Sequence, residues 1–282
     1  MLQKFYKYHG AGNDFLLADN RNGHLSSMSS DQVRHLCDRH TGFGADGVML
    51  LENSVAGSFR MIFFNPDGSG GMMCGNGGRC IVAFAADLGI IPVGSLITFE
   101  APDGLHQAKI LTDGEQSGGA IRLRMRDVTE ILFFPDDHFC FLDTGARHVV
   151  KFVSGLKDFP VLTEGRILRS DPRFAPAGAN VNFIEPLQEG DGIVLHVRTF
   201  EKGVEDETLA CGTGIVASAV AAYSQNIAGR IDAEGRVTCA VKAAIATLRV
   251  DFIPGEGNGD SAVRDIWLTG PADFVGTVEI ML

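Results

Sequence analysis

Long apolar runs are missing from this 282-residue chain. None approaches the roughly 20 residues that cross a bilayer as a helix, so no membrane span is expected. The opening Met1-Leu2-Gln3-Lys4-Phe5 lacks a basic stretch followed by an apolar core, and no signal peptide is expected. Positive charge is also scarce. Lys and Arg number 24 against 35 Asp and Glu, a formal net charge of −11 with a pI near 5.1. That balance argues against a nucleic-acid or membrane-binding surface. Of the six cysteines, no pair has zinc-ligand spacing; Cys74 and Cys80 are 80 − 74 = 6 apart with no histidine partner close by, and no metal site is expected. The length and the missing signal favour reduced thiols and a cytoplasmic location.

What is present is the material of a folded protein with full cores: 45% apolar and 21% charged residues. The length suits two domains. A repeat divides them. Met73-Cys74-Gly75-Asn76-Gly77-Gly78-Arg79 is echoed by Ala210-Cys211-Gly212-Thr213-Gly214, 211 − 74 = 137 residues later. In each copy a cysteine precedes Gly-x-Gly and an unbroken apolar helix pattern follows, from Cys80 to Ala86 and from Ile215 to Ala222. A helix N-terminus carries unpaired N–H groups and a partial positive charge, which favour a thiolate and can hold a carboxylate. A single Cys-Gly is more often an inert buried thiol; recurrence at equivalent points of two halves is the feature that points to chemistry. Two such starts aimed at one shared cleft would hold a carboxylate between two sulfurs. One sulfur takes a proton from the adjacent carbon, and the other returns one from the opposite face. Cys37, Cys80, Cys140 and Cys239 lack this setting and read as packing.

Around the repeat, strands are expected at Phe5–Tyr8, Phe15–Asp19, Val48–Leu51, Phe59–Phe64, Leu96–Ala101, Leu105–Leu111 and Ile121–Met125. The second half offers Phe139–Asp143, Val149–Val153, Ile193–Phe200, Val237–Val241, Ala246–Phe252, Asp265–Leu268 and Ala272–Ile280. Ser29-Ser30-Asp31-Gln32 reads as a capping box, with Val33, Leu36, Cys37 and His40 on one helical face. Phe159–Leu168 has room for a further helix. Gly42 to Gly47 matches G-x-G-x-x-G but has its helix before and its strand after, the reverse of a dinucleotide site. Turns are expected at His9–Asp14, Asn65–Gly68, Thr144–His148 and Gly178–Phe183, and a loose polar loop at Gly255–Asp260. Glu205, Asp206 and Glu207 read as a solvated turn, whereas Glu201, at a strand end, suits an ammonium group. A helix apolar on all sides must be covered on all sides. The expected fold is therefore α/β (α+β): two pseudo-symmetric domains, each a curved, mostly antiparallel sheet around a central apolar helix, with the active site in the cleft between them. The domains would be residues 1–126 with 273–282, carrying Cys74, and residues 127–272, carrying Cys211.

His9-Gly10-Ala11-Gly12-Asn13-Asp14-Phe15, Asn65-Pro66-Asp67-Gly68-Ser69, the Cys74 segment, Gly178-Ala179-Asn180-Val181-Asn182-Phe183 and the Cys211 segment together resemble the diaminopimelate epimerase family. The resemblance implies a cofactor-independent epimerase interconverting L,L- and meso-diaminopimelate for lysine and cell-wall synthesis, and a homodimer that closes on its substrate. It implies Cys74 and Cys211 as the acid–base pair, and Gly75, Asn76, Gly212 and Thr213 as the backbone cradle of the reacting carboxylate. Asn13, Asn65 and Asn180 would contact substrate, with His148 and Glu201 beside the reacting centre. Two segments depart from the family pattern. The usual Gly-Asn-Pro-His or Gly-Ser-Pro-His is Gly145-Ala146-Arg147-His148, and the usual Glu-Arg-Gly is Glu201-Lys202-Gly203. The family's arginine grips the distal carboxylate; Lys202 keeps the charge without the bidentate fork, and Arg147 offers a second cation. A racemase of another amino acid such as histidine, a non-catalytic amino-acid-binding protein and an isomerase of a cyclic amino acid such as proline are the other readings. Both cysteines argue against the binding protein, and the Gly-Asn-Asp, Asn-x-Asp-Gly and Glu-Lys-Gly segments argue for an acyclic substrate.

Overall fold

The computed structural model describes residues 2–111, 120–255 and 262–282. They form a mixed α/β protein dominated by strands, with four α-helices among the described residues. The loop expected at Gly255–Asp260 lies, beyond Gly255, outside them. The chain divides into two compact units: residues up to Leu123 with Gly270–Leu282, and Arg124–Thr269. These boundaries stand at 123 and 269, where the sequence reading places them at 126 and 272.

In the first unit, strand Leu2–Gly10 pairs antiparallel with both Asn13–Asp19 and Asp273–Met281. Asn13–Asp19 runs parallel to Val48–Glu52, and the crossover between them holds helix α1, Ser30–Cys37. Val48–Glu52 pairs antiparallel with Arg60–Phe64. Helix α2, Gly75–Asp87, then leads to the antiparallel run of Leu96–Ala101, Gly104–Ile110 and Ile121–Arg124. Helix α2 packs against strands Leu2–Gly10, Asn13–Asp19, Val48–Glu52 and Gly104–Ile110. Its Cys80, Ile81, Val82, Phe84 and Ala85 are fully buried, and Phe84 meets Tyr6 and Tyr8 with ring centroids 5.0 and 5.9 Å away.

The second unit follows the same plan. Phe139–Asp143 pairs with Arg147–Phe152, which runs parallel to Asn180–Glu189 across a crossover holding helix α3, Val161–Arg169. Asn180–Glu189 pairs antiparallel with Gly192–Glu201. That strand runs parallel to Val237–Lys242 across helix α4, Gly212–Ser224. Thr247–Pro254 and Val263–Gly270 complete the sheet. Helix α4 is covered by six of these strands, and Ile215 to Ala222 is buried without a break. Parallel neighbours need a crossover; α2 lies in the one between Arg60–Phe64 and Leu96–Ala101, which pair parallel at Arg60↔Glu100, and α4 in the one between Gly192–Glu201 and Val237–Lys242.

Several local expectations change. Helix α1 stops at Cys37, leaving His40 outside it, because the Asp38 carboxylate takes the N–H groups of His40 and Thr41 at 2.8 and 2.6 Å. Asn180 opens a strand rather than sitting in a turn. His148 also lies in a strand, Arg147–Phe152. Glu205 does lie in an exposed turn, but Asp206 and Glu207 belong to a strand. Asp206–Thr208 pairs back onto Gly192–Glu201, Glu207 grips Arg198 through two 2.7 Å bonds, and Glu205 pairs with Arg169. A strand at Ile131–Phe134, paired with Phe139–Asp143, has no counterpart among the expected elements.

The capping box forms as read. Gln32 N–H donates to Ser29 Oγ at 3.3 Å, and Ser29 N–H donates to Gln32 Oε1 at 2.8 Å. Ser29→Ala should cost about 1 kcal/mol in denaturant unfolding, with catalysis unchanged; an unaltered midpoint would show that the cap contributes nothing.

Candidate active site

Helix α2 begins at a cysteine. Cys74 is extended (φ −116°, ψ 153°), and its Sγ accepts the Gly77 N–H at 3.2 Å. The sulfur thus takes the place an N-cap oxygen usually holds, with a donor that stabilises negative charge on it. Gly77 leaves room for this: a Cβ there would stand 3.3 Å from the sulfur and 3.3 Å from Met49 Sδ. Asn76 is buried, and its Oδ1 accepts from Arg79 Nη2 at 2.9 Å while its Nδ2 reaches Asn13 Oδ1 at 3.4 Å. Asn13 donates in turn to Asp46. Arg79, wholly buried, also donates to the carbonyls of Gly75 (3.0 Å) and Pro271 (3.1 Å). Asn13, Cys74, Gly75 and Asn76 therefore form one connected group. Asn65 stands apart from it in these bonds. Its amide closes its own loop onto Ser69 Oγ at 3.0 Å and the Gly70 carbonyl at 3.3 Å.

Helix α4 begins at Cys211, which is 8% exposed and also extended (φ −110°, ψ 112°). Its Sγ makes no capping bond and lies 3.4 Å from Thr213 Oγ1. Thr213 is held at both ends: its carbonyl accepts from Thr144 Oγ1 at 3.0 Å, and its hydroxyl lies 2.9 Å from His148 Nε2. His148 Nδ1 meets Asn182 Nδ2 at 2.9 Å. Gly214 has no space for a side chain, since a Cβ would stand 2.3 Å from Asn182 Oδ1. Cys211, Gly212, Thr213 and His148 form the second group.

Asn180 joins three elements, donating to the Arg147 carbonyl at 3.3 Å and accepting from Lys202 N–H at 2.9 Å. Lys202 is exposed, with Nζ 3.3 Å from the Ala177 carbonyl. Arg147 donates to the Phe174 carbonyl at 2.9 Å and lies 5.0 Å from the centroid of the Phe141 ring. Its guanidinium thus packs on an aromatic face. Glu201 Oε2 accepts from Thr208 Oγ1 at 2.9 Å. Burial pushes Cys37 and Cys140 up to about 11 and Cys239 up to about 12, and raises Cys80 further, which suits inert packing thiols. Sequence reasoning passed over Arg79, Thr144, Asn182 and Thr199. Arg79, Thr144 and Asn182 each sit inside a segment read above, and Thr199 inside an expected strand, but none of the four was singled out.

The family model described as diaminopimelate epimerase matches residues 5–128 and 140–251. A diaminopimelate epimerase of Flavobacterium psychrophilum is 40% identical over 272 residues, covering 96% of this chain and 98% of the relative. One of Chlorobaculum tepidum is 42% identical over 273 residues, covering 96% and 99%. Among solved structures, a phenazine biosynthesis protein of the PhzF family from Bacillus anthracis matches with a TM-score of 0.76 at 16% identity, over 100% of both chains. A hydroxyproline epimerase from Agrobacterium vitis, solved with trans-4-hydroxy-L-proline, matches with a TM-score of 0.65 at 15% identity, over 99% of this chain and 91% of that one. The fold is that of these proteins.

Burial pushes His148 down to about 3 from an ordinary 6.5. The unfolded chain therefore binds the extra proton first, and stability falls as pH drops from 6.5 toward 3. The slope from this group should reach about 1.4 kcal/mol per pH unit. Denaturant unfolding at stepped pH should show it, and His148→Gln should flatten that part of the curve. An equal slope in the variant would assign the loss to other groups.

Proposed function

Because the chain belongs to the diaminopimelate epimerase family, it is an isomerase that epimerises diaminopimelate, and we propose that it does so without a cofactor, with Cys74 and Cys211 as the acid–base pair. One observation carries this reading: both cysteines stand at the N-cap of an enclosed helix, each followed at once by glycine.

Inversion at a carbon needs a proton to leave one face and another to arrive on the other, so it calls for two groups. A thiolate takes the α-proton and becomes a thiol; the second thiol gives its proton to the carbon and becomes a thiolate. The reverse reaction exchanges the roles. Removing the α-proton moves negative charge onto the neighbouring carboxylate. Backbone donors at the helix starts, at Gly75 and Asn76 and at Gly212 and Thr213, suit that charge. Asn13, Asn65 and Asn180 are read as polar contacts to the substrate. His148 and Glu201 are read as flanking groups. For the distal carboxylate, Lys202 is the favoured partner, because it is exposed while Arg147 is engaged by Phe174 and Phe141. Lysine serves as a point charge there. The wider reading, a cytoplasmic homodimer supplying lysine and peptidoglycan precursors, rests on the family.

Reduced enzyme given L,L-diaminopimelate in D2O should produce the meso isomer carrying deuterium at one α-carbon. Cys74→Ala and Cys211→Ala should each lose roughly 10²- to 10⁴-fold in rate while circular dichroism stays unchanged. Full activity in either variant would sink the two-base mechanism. A folded, reduced enzyme that exchanges nothing would redirect the search to other L-amino acids.

A further inference from the structure

A file of polar groups runs through the interior behind Cys211. Thr199 Oγ1 lies 3.0 Å from Asn182 Oδ1. Asn182 Nδ2 lies 3.2 Å from the Val149 carbonyl and 2.9 Å from His148 Nδ1. His148 Nε2 lies 2.9 Å from Thr213 Oγ1, which lies 3.4 Å from Cys211 Sγ. Asn182 and His148 are fully buried, and Thr199 is 3% exposed.

One carbonyl sets the direction of every proton in this file. The Val149 carbonyl can only accept, so the side of the Asn182 amide facing it is the NH₂. That same NH₂ meets His148 Nδ1, which must therefore accept. His148 is neutral at ordinary pH because of its burial, so its one N–H sits on Nε2. This N–H donates to the Thr213 oxygen and leaves the Thr213 hydroxyl hydrogen for the sulfur of Cys211. At the other end, Asn182 Oδ1 accepts from Thr199.

We propose that Asn182 is a positioning residue: by fixing the tautomer of His148 it aims the Thr213 hydroxyl at Cys211 and stabilises that sulfur as a thiolate. Cys211 thereby gains from a side chain the kind of donor that Cys74 gains from the Gly77 N–H. The catalytic meaning of this arrangement rests on the two-cysteine reading above; the arrangement itself is measured without turnover.

Histidine-labelled enzyme, observed by ¹⁵N NMR, should show His148 as the neutral Nε2–H tautomer. In Asn182→Leu that signal should move toward a mixture. Alkylation of Cys211 by iodoacetamide at pH 7, resolved by peptide mapping, should slow roughly three- to tenfold in Asn182→Leu and in Thr213→Val. That range reflects one lost donor, partly offset by a more nucleophilic sulfur. Thr213→Ser should restore the native rate. An Nδ1–H tautomer in the native enzyme, or unchanged alkylation in both variants, would overturn the proposal. If Asn182→Leu fails to fold, the native spectrum and Thr213→Val decide. Should Cys211 prove non-catalytic, Cys211→Ala would turn over normally while the tautomer and the alkylation rates stood as described.

Discussion

Helices α2 and α4 are buried along most of their length, and the rest of each unit answers to that. A helix apolar all round is stable only when strands cover it on several sides. The sheets meet the need by changing direction: antiparallel runs are broken by parallel pairs, and the crossovers from Arg60–Phe64 to Leu96–Ala101 and from Gly192–Glu201 to Val237–Lys242 carry α2 and α4 through the middle. Once enclosed, such a helix cannot turn its orphan N–H groups to bulk water. Its first turn has to be satisfied locally or be offered to a ligand. Small residues there, Gly75, Gly77 and Gly78 in one unit and Gly212 and Gly214 in the other, keep the backbone approachable.

The two helix starts share a pattern and differ in their support. Behind Cys74 stands a buried cation, Arg79, which draws in the Gly75 carbonyl, the Asn76 side chain and the Pro271 carbonyl. Three acceptors offset the cost of taking a guanidinium out of water. Behind Cys211 stands a neutral file of Thr, Asn and His. The repeated sequence thus encodes an extended cysteine N-cap twice, with unequal electrostatics around it; under the proposed two-cysteine mechanism that suits two sulfurs in opposite protonation states.

The helix starts and the capping box were legible because they are local: their residues lie within four positions of one another. The strands of the first unit were legible for the same reason, since their apolar and aromatic runs lie within each segment. His148 and Asn182 were another matter. They meet because Arg147–Phe152 and Asn180–Glu189 run parallel, with Val150 opposite Asn182, a register set across the 27 residues (179 − 152 = 27) between the two strands. Nothing near either residue announces it. Glu207 looked solvated for the same reason, its partner Arg198 being a cross-strand neighbour. Arg79 lay in plain view inside the motif, yet its burial is a property of the strands around α2.

The strand Asp273–Met281 belongs to the first unit although 146 residues of the second, Arg124 through Thr269 (269 − 123 = 146), precede it. It pairs with Leu2–Gly10 from Leu2↔Met281 to His9↔Asp273, and Arg79 reaches the carbonyl of Pro271 beside it. During synthesis the ribosome delivers these residues after the whole of the second unit. The unit that starts first therefore waits with one strand unpaired and a buried arginine short of an acceptor, while the contiguous second unit is free to close ahead of it. Domains ordinarily fold in the order they are made; here the order of completion is reversed.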